Sequence, residues 1–179
     1  YPGVIIEFIE GSYSEIEKYI LSGFVDLGFV LLPNHQLEVF PLIKDEYVAV
    51  LPTEHPLSEK KTITISDIAN EPFIMPLAGC ELFVRKAFEQ AKIIPNTRYQ
   101  IEHNNTIIAM VKSGLGISIV PELVFAPPGI RTISLNPKIY RKVGLGIRSF
   151  NSATPAVRTF IRNAQSWVKS NGYLISDED

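Results

Sequence analysis

The stretch that decides the fold is residues 4–31, VIIEFIEGSYSEIEKYILSGFVDLGFVL. Val4, Ile5, Ile6, Phe8 and Ile9 make an almost unbroken apolar run that reads as a strand, closed by Glu10-Gly11. Ser12 followed three residues later by Glu15 is a capping-box pattern, so a helix starts there. Ile16, Tyr19 and Ile20 give that helix a buried stripe, and Gly23 ends it. Asp26-Leu27-Gly28-Phe29-Val30-Leu31 is a second strand, nearly all apolar, as expected where both faces of a sheet are covered. Strand, helix and strand in this order predict a parallel pair with a right-handed crossover.

The same rhythm runs outward along the chain. Strands are expected over residues 39–43, 47–52, 73–75, 98–101, 116–120, 130–135 and 143–148. A short helix is expected near 66–70. A longer one over 81–92 should bury Leu82, Phe83, Ala87 and Ala91. Asn105 or Thr106 should cap a helix that runs to Lys112 and stops at Gly114. Thr154-Pro155 opens the last helix, whose buried stripe reads Val157, Phe160, Ile161, Ala164, Trp167 and Val168. Alternating βα signals of this kind argue for an α/β fold.

Composition narrows the function. The chain has 179 residues, 46% of them apolar, enough for a sizeable core and too many for disorder. No apolar run reaches the ~18 residues that span a bilayer. Lys plus Arg number 17 against 19 acids, a net charge of −2, so no strongly basic surface for nucleic acid is expected. Lys60-Lys61 and Arg141-Lys142 read as solvated pairs. The single cysteine, Cys80, makes neither an internal disulfide nor a Cys-rich metal site, which fits a reducing compartment. Tyr1-Pro2-Gly3 enters the first apolar run directly, as expected of a piece cut from a longer protein. Gly114-x-Gly116 follows a helix and enters a strand, the reverse of a dinucleotide fingerprint; it reads as a helix stop with close packing. Neither a nucleophile elbow, a phosphate loop nor a zinc-protease motif occurs.

Several local patterns then coincide. They are Gly11-Ser12, Ser22-Gly23, Val25-Asp26-Leu27-Gly28-Phe29, Pro41-Leu42 and Val48-Ala49-Val50-Leu51-Pro52 with His55-Pro56-Leu57. Ile65-Ser66-Asp67-Ile68-Ala69, Glu71-Pro72-Phe73-Ile74 and the run from Met110 through Ser113-Gly114-Leu115-Gly116 to Val120-Pro121 complete them. In that order the set resembles the effector-binding domain of LysR-type transcriptional regulators. The resemblance implies a periplasmic-binding-protein-like α/β fold: two Rossmann-like lobes joined by two crossover strands, with a small-molecule cleft between them. Lobe one would comprise residues 1–48 plus 145–179, and lobe two residues 49–144. It also implies that a first strand and helix of lobe one precede Tyr1 in the family, so imperfect packing is expected around residues 4–9 and 26–31.

Ligands of open α/β sheets bind beyond the carboxyl ends of strands, where helix N-termini present free N–H groups. Three such turns contain Gly11-Ser12-Tyr13, Gly79-Cys80 (after Leu77-Ala78) and Asn104-Asn105-Thr106. The resemblance implies that all three line the cleft. Each helix start carries about half a positive charge, so a small carboxylate is the expected effector class. Plain capping is the competing role for Ser12 and Thr106. His55 and His103 lack a partner at ligand spacing, so no metal is expected; nor is any cofactor. The resemblance further implies a homodimer, with a tetramer as the alternative, and contact with DNA only through an N-terminal helix-turn-helix domain outside this chain. It implies a bacterial, cytoplasmic, non-enzymatic protein. A solute-binding protein of a transporter shares the fold and is the alternative reading. An enzyme on this fold is disfavoured by the lack of a paired acid and base.

Overall fold

The computed structural model describes residues 3–77, 79–124 and 126–171. In chain order the elements are α1 (Tyr13–Ser22), β1 (Gly28–Leu32), β2 (Glu38–Pro52), β3 (Phe73–Pro76), α2 (Glu81–Ala91) and β4 (Thr97–Ile101). They continue as α3 (Asn104–Lys112), β5 (Ser118–Pro121), β6 (Ile130–Ile147) and α4 (Pro155–Ser170), with 3₁₀ turns at Pro56–Glu59 and Ile65–Ile68. The chain divides into two compact units, Tyr1–Lys44 with Arg141–Asp179, and Asp45–Tyr140. The long strands β2 and β6 each pass from one unit into the other.

In the first unit, Ser12 caps α1 and Glu15 returns the bond, as the sequence predicts. Gly23 ends the helix at φ +78°, with its N–H on the Ile20 carbonyl. Ile20 buries against Val30 and Leu37, so α1 packs on β1. β1 pairs antiparallel with β6, from Gly28 opposite Gly146 to Leu32 opposite Lys142. The parallel pairing expected between residues 4–9 and β1 does not form. Residues 4–9 form no regular element and pair with no strand among the described residues, and Ile5 and Phe8 are 88% and 86% exposed. An unbroken apolar run records what a segment can bury, and among the described residues no sheet neighbour takes it up.

Thr154 caps α4 with Pro155 next, again as expected. Its Ile161 and Val168 join Leu42, Leu145 and Ile147 in a core, and burial of each side chain contributes ~1.5–3 kcal/mol. The expected stripe is too wide, however: Trp167 is 61% exposed.

In the second unit, β2 pairs antiparallel with β5 from Tyr47 opposite Pro121 to Val50 opposite Ser118. β3 runs parallel to β4, and Phe73 also bridges Ile117 in parallel. Val48, Val50, Ile74, Ile107, Ile108, Val111 and Val120 form the core beneath α3. The buried residues of α2 are Val84, Ala87 and Phe88, whereas Leu82 and Ala91 are exposed. Ala87 alone of that helix's expected buried set is fully covered. No helix among the described residues is long and apolar enough to cross a membrane.

Candidate functional site

Two of the expected turns meet in the second unit. The last residues of β3 and β4, Pro76 and Ile101, stand side by side in parallel register, and the Leu77 N–H donates to the Ile101 carbonyl at 2.8 Å. The chain leaves both strands at the same sheet edge, and α2 and α3 start just beyond it. Gly79 and Cys80 therefore share one edge of the second unit with Asn104, Asn105 and Thr106, at the carboxyl ends of two parallel strands. That is where open α/β sheets place their ligands. Ala78, like Tyr1 and Pro2, lies outside the described residues.

The two helix starts differ in how they are filled. At α2, Gly79 takes φ +97°, and its N–H donates to the Glu81 carboxylate at 2.7 Å. The residue at the cap position, Cys80, is buried and makes no side-chain cap. At α3 the cap position belongs to His103, not to Asn105 or Thr106 as expected; those two residues are inside the first turn. The His103 side chain makes no cap bond, and the first turn of α3 contains no acidic residue. Asn104 is half-buried, and Asn105 and Thr106 are exposed. This helix start keeps its positive end uncompensated by any side chain of its own first turn.

In the first unit, Ser12 is committed to capping. Its N–H and its hydroxyl donate to Glu15 Oε2 at 2.8 and 2.7 Å, and its Oγ accepts from the Glu15 N–H at 3.4 Å. These hydroxyl and backbone bonds hold the Glu15 carboxyl below its usual range. Gly11 is exposed, and a Cβ there would press on Glu15 at 3.3 Å. Tyr13 is half-buried and receives a hydrogen bond from Arg141 Nη1 at 2.6 Å. Arg141 escaped the sequence reading, which placed it in a solvated basic pair. Its partner is 128 positions away, so only the strand that carries it could have exposed the contact.

The histidines take local roles. His55 Nδ1 accepts the Leu57 N–H at 3.2 Å, which leaves Nε2 to approach Glu71 at 3.4 Å. Together with Pro52, Pro72, Gly114, Gly116 and Ile117 this pair lines a shallow cavity of about 230 Å³. No group of three His, Cys, Asp or Glu residues able to hold a metal ion occurs among the described residues.

The family model for the LysR substrate binding domain matches residues 1–169. Over 169 residues the chain is 31% identical to the uncharacterized HTH-type transcriptional regulator YvbU of Bacillus subtilis, covering 92% of this chain and 58% of that protein. The chain thus spans a little over half the length of such curated relatives. Among solved structures it is similar to the effector binding domain of QuiR in complex with shikimate, with a TM-score of 0.82, 24% identity, and 92% of this chain and 81% of that one covered. The Synechocystis PCC6803 CcmR regulatory domain in complex with 2-PG aligns with a TM-score of 0.82, 20% identity, and 94% and 86% coverage. Its α/β fold is that of periplasmic-binding-protein-like regulatory domains, and the chain belongs to the LysR substrate binding domain family.

Proposed function

We propose that the chain is the effector-sensing part of a bacterial LysR-type transcription regulator, which binds a small organic acid and acts by binding rather than turnover. The observation that carries this reading is the start of α3: a helix N-terminus with neither a side-chain cap nor a first-turn acid, placed beyond the carboxyl ends of β3 and β4. An anion there gains the N–H groups and the helix dipole together, and a neutral ligand gains only the hydrogen bonds. Asn104, Asn105, Thr106, Gly79 and Cys80 supply the second unit's contacts, and Gly11, Ser12 and Tyr13 the first unit's. Support comes from the family match and from two structural neighbours, one in complex with shikimate, an organic acid, and one in complex with 2-PG.

In this reading Tyr1–Lys44 with Arg141–Asp179 forms one regulatory lobe and Asp45–Tyr140 the other. The protein works in the cytoplasm as a homodimer, and a helix-turn-helix domain outside this chain contacts DNA. The effector can shift the regulator only by its difference in affinity for two states.

Thermal unfolding of the protein with a set of small carboxylates and phosphate esters tests the reading. An acid at a hundred times its Kd should add about 2.7 kcal/mol of stability. Asn105→Ala and Thr106→Val should weaken that acid roughly tenfold by removing hydrogen bonds to a charged group, with the unliganded Tm nearly unchanged. Equal affinity in both variants would remove α3 from the site.

A further inference from the structure

The cavity of about 230 Å³ beside His55 and Glu71 opens where the end of β2, the start of β3 and the turn after α3 meet, all within the second unit. It lies at the amino ends of β3 and β5, where Ile117 bridges Phe73. The turns at Gly79 and Asn104 leave the opposite, carboxyl ends of β3 and β4, so the four residues of β3 separate the two places by about 13 Å. Pro52, Pro72 and Ile117 give the cavity apolar walls. A Cβ on Gly114 would meet nothing within 4 Å, so the backbone there borders open space. The polar content is a single pair. His55 Nδ1 accepts the Leu57 N–H, so the ring proton sits on Nε2, 3.4 Å from Glu71 Oε2. Glu71 Oε1 accepts no hydrogen bond among the described residues, and no Lys or Arg lines the cavity. A half-buried carboxylate beside apolar walls, with one oxygen unclaimed, is matched by a cation that carries N–H donors on a compact apolar body.

We propose that this cavity is a second ligand site, which takes a small primary ammonium ion through Glu71. The ammonium donates to Glu71 Oε1, His55 holds the other oxygen in place, and the alkyl body covers Pro52, Pro72 and Ile117. The volume lies below the ~300–1,000 Å³ of ordinary ligand pockets, which limits that body to a few carbons. A carboxylate is repelled there, so the site excludes the ligand class assigned to the start of α3. Neither site depends on the other, and either assignment can fail alone. The competing role is a hydrogen-bonded pair that only fastens the His55 turn to Glu71.

Titration of the isotope-labelled chain with cyclopentylammonium, followed through its amide resonances, separates the two. The Gly114 N–H should shift and saturate while the Gly79 N–H stays in place. Cyclopentanol and cyclopentanecarboxylate retain the ring without the positive charge, and both should bind at least tenfold more weakly. Glu71→Gln should weaken the ammonium about tenfold, as the loss of a hydrogen bond to a charged group does. Should that variant fail to fold, the ratio of ammonium to alcohol affinity in the wild-type chain decides the matter. A Gly114 shift that never saturates, an alcohol that binds as tightly as the ammonium, or unchanged binding by Glu71→Gln would each overturn the site and leave the pair as a fastening.

Discussion

Gly116 sits at φ +152°, and a Cβ on it would stand 2.5 Å from the Pro72 carbonyl oxygen. Backbone cannot yield there as a side chain could, because Pro72 also accepts the Ile117 N–H at 2.9 Å. That bond draws the entry of β5 against the residue before β3, so Gly116→Ala must either break it or displace β3. The substitution should cost about 2–4 kcal/mol in urea unfolding, the range of strained backbone combined with a lost buried contact. A cost below roughly 0.5 kcal/mol would mean that the close approach relaxes freely. This residue was legible in part: Gly114-x-Gly116 between helix and strand signalled tight packing, and Gly114 does take φ +72°. Chemistry at single residues was harder to foresee. Ser12 was expected to cap and does, because a capping box is written within four neighbouring positions. Arg141 was not foreseen, because its partner is set by the course of β6 and not by anything local.

At the scale of elements, local signals held where the partners are close in sequence. The 3₁₀ turn Ile65–Ile68 is held by Thr64 and Asp67 in a reciprocal cap, with Lys60 bridging to the same carboxylate. The Lys60 contact, then the Thr64 N–H, hold the Asp67 carboxyl below its ordinary value. A carboxyl depressed in the folded state contributes stability above its unfolded value near 3.8, and that contribution is lost as pH falls through the lower folded value. Asp67→Asn should therefore lower stability by ~1 kcal/mol at neutral pH, as a lost cap does, and the difference from wild type should shrink below pH 4. A difference independent of pH would assign the effect to packing. Signals misled where a polar break met tertiary structure. Residues 44–46, Lys-Asp-Glu, were expected to separate two strands, yet β2 runs through them. Asp45 is buried and accepts the Leu123 N–H at 3.3 Å; Glu46 is buried and pairs with Lys138 at 2.7 Å. These partners lie far along the chain, so no window of sequence could show that the two acids would find them. The cap of α3 was missed for the converse reason. Asn105 and Thr106 are good capping residues, but the helix opens two or three residues earlier, at His103.

For the molecule as a whole, the large apolar side chains left exposed bear on where the proposed association would occur. Ile5, Phe8, Phe24, Phe29 and Trp167 are all more than half exposed, and all belong to the first unit. Exposed apolar patches beyond a few hundred Å² mark contact sites in soluble proteins. The resemblance implied imperfect packing around residues 4–9 and 26–31; the first segment is exposed, whereas in the second β1 pairs with β6 and buries Val30 while leaving Phe29 exposed. The proposed homodimer would use this unit, because it carries most of the exposed large apolar side chains among the described residues. Sedimentation velocity of the 179-residue chain should show mass rising with concentration across the micromolar range, the regime of interfaces without optimised anchors. Two sets of charges distinguish which surface is responsible. Ile5→Lys with Phe8→Lys should return the chain to monomer if residues 4–9 pair between copies, and Trp167→Glu should do so if the exposed side of α4 is the interface. Neither set touches a core residue, so the unfolding midpoint at low concentration should stay within about half a kcal/mol of wild type. A chain that stays monomeric at high concentration without any substitution would leave dimerisation to parts of the regulator outside these residues. An effector that binds one assembly state better than the other should move the association constant by the same factor as its affinity ratio, which links this measurement to the acid titrations.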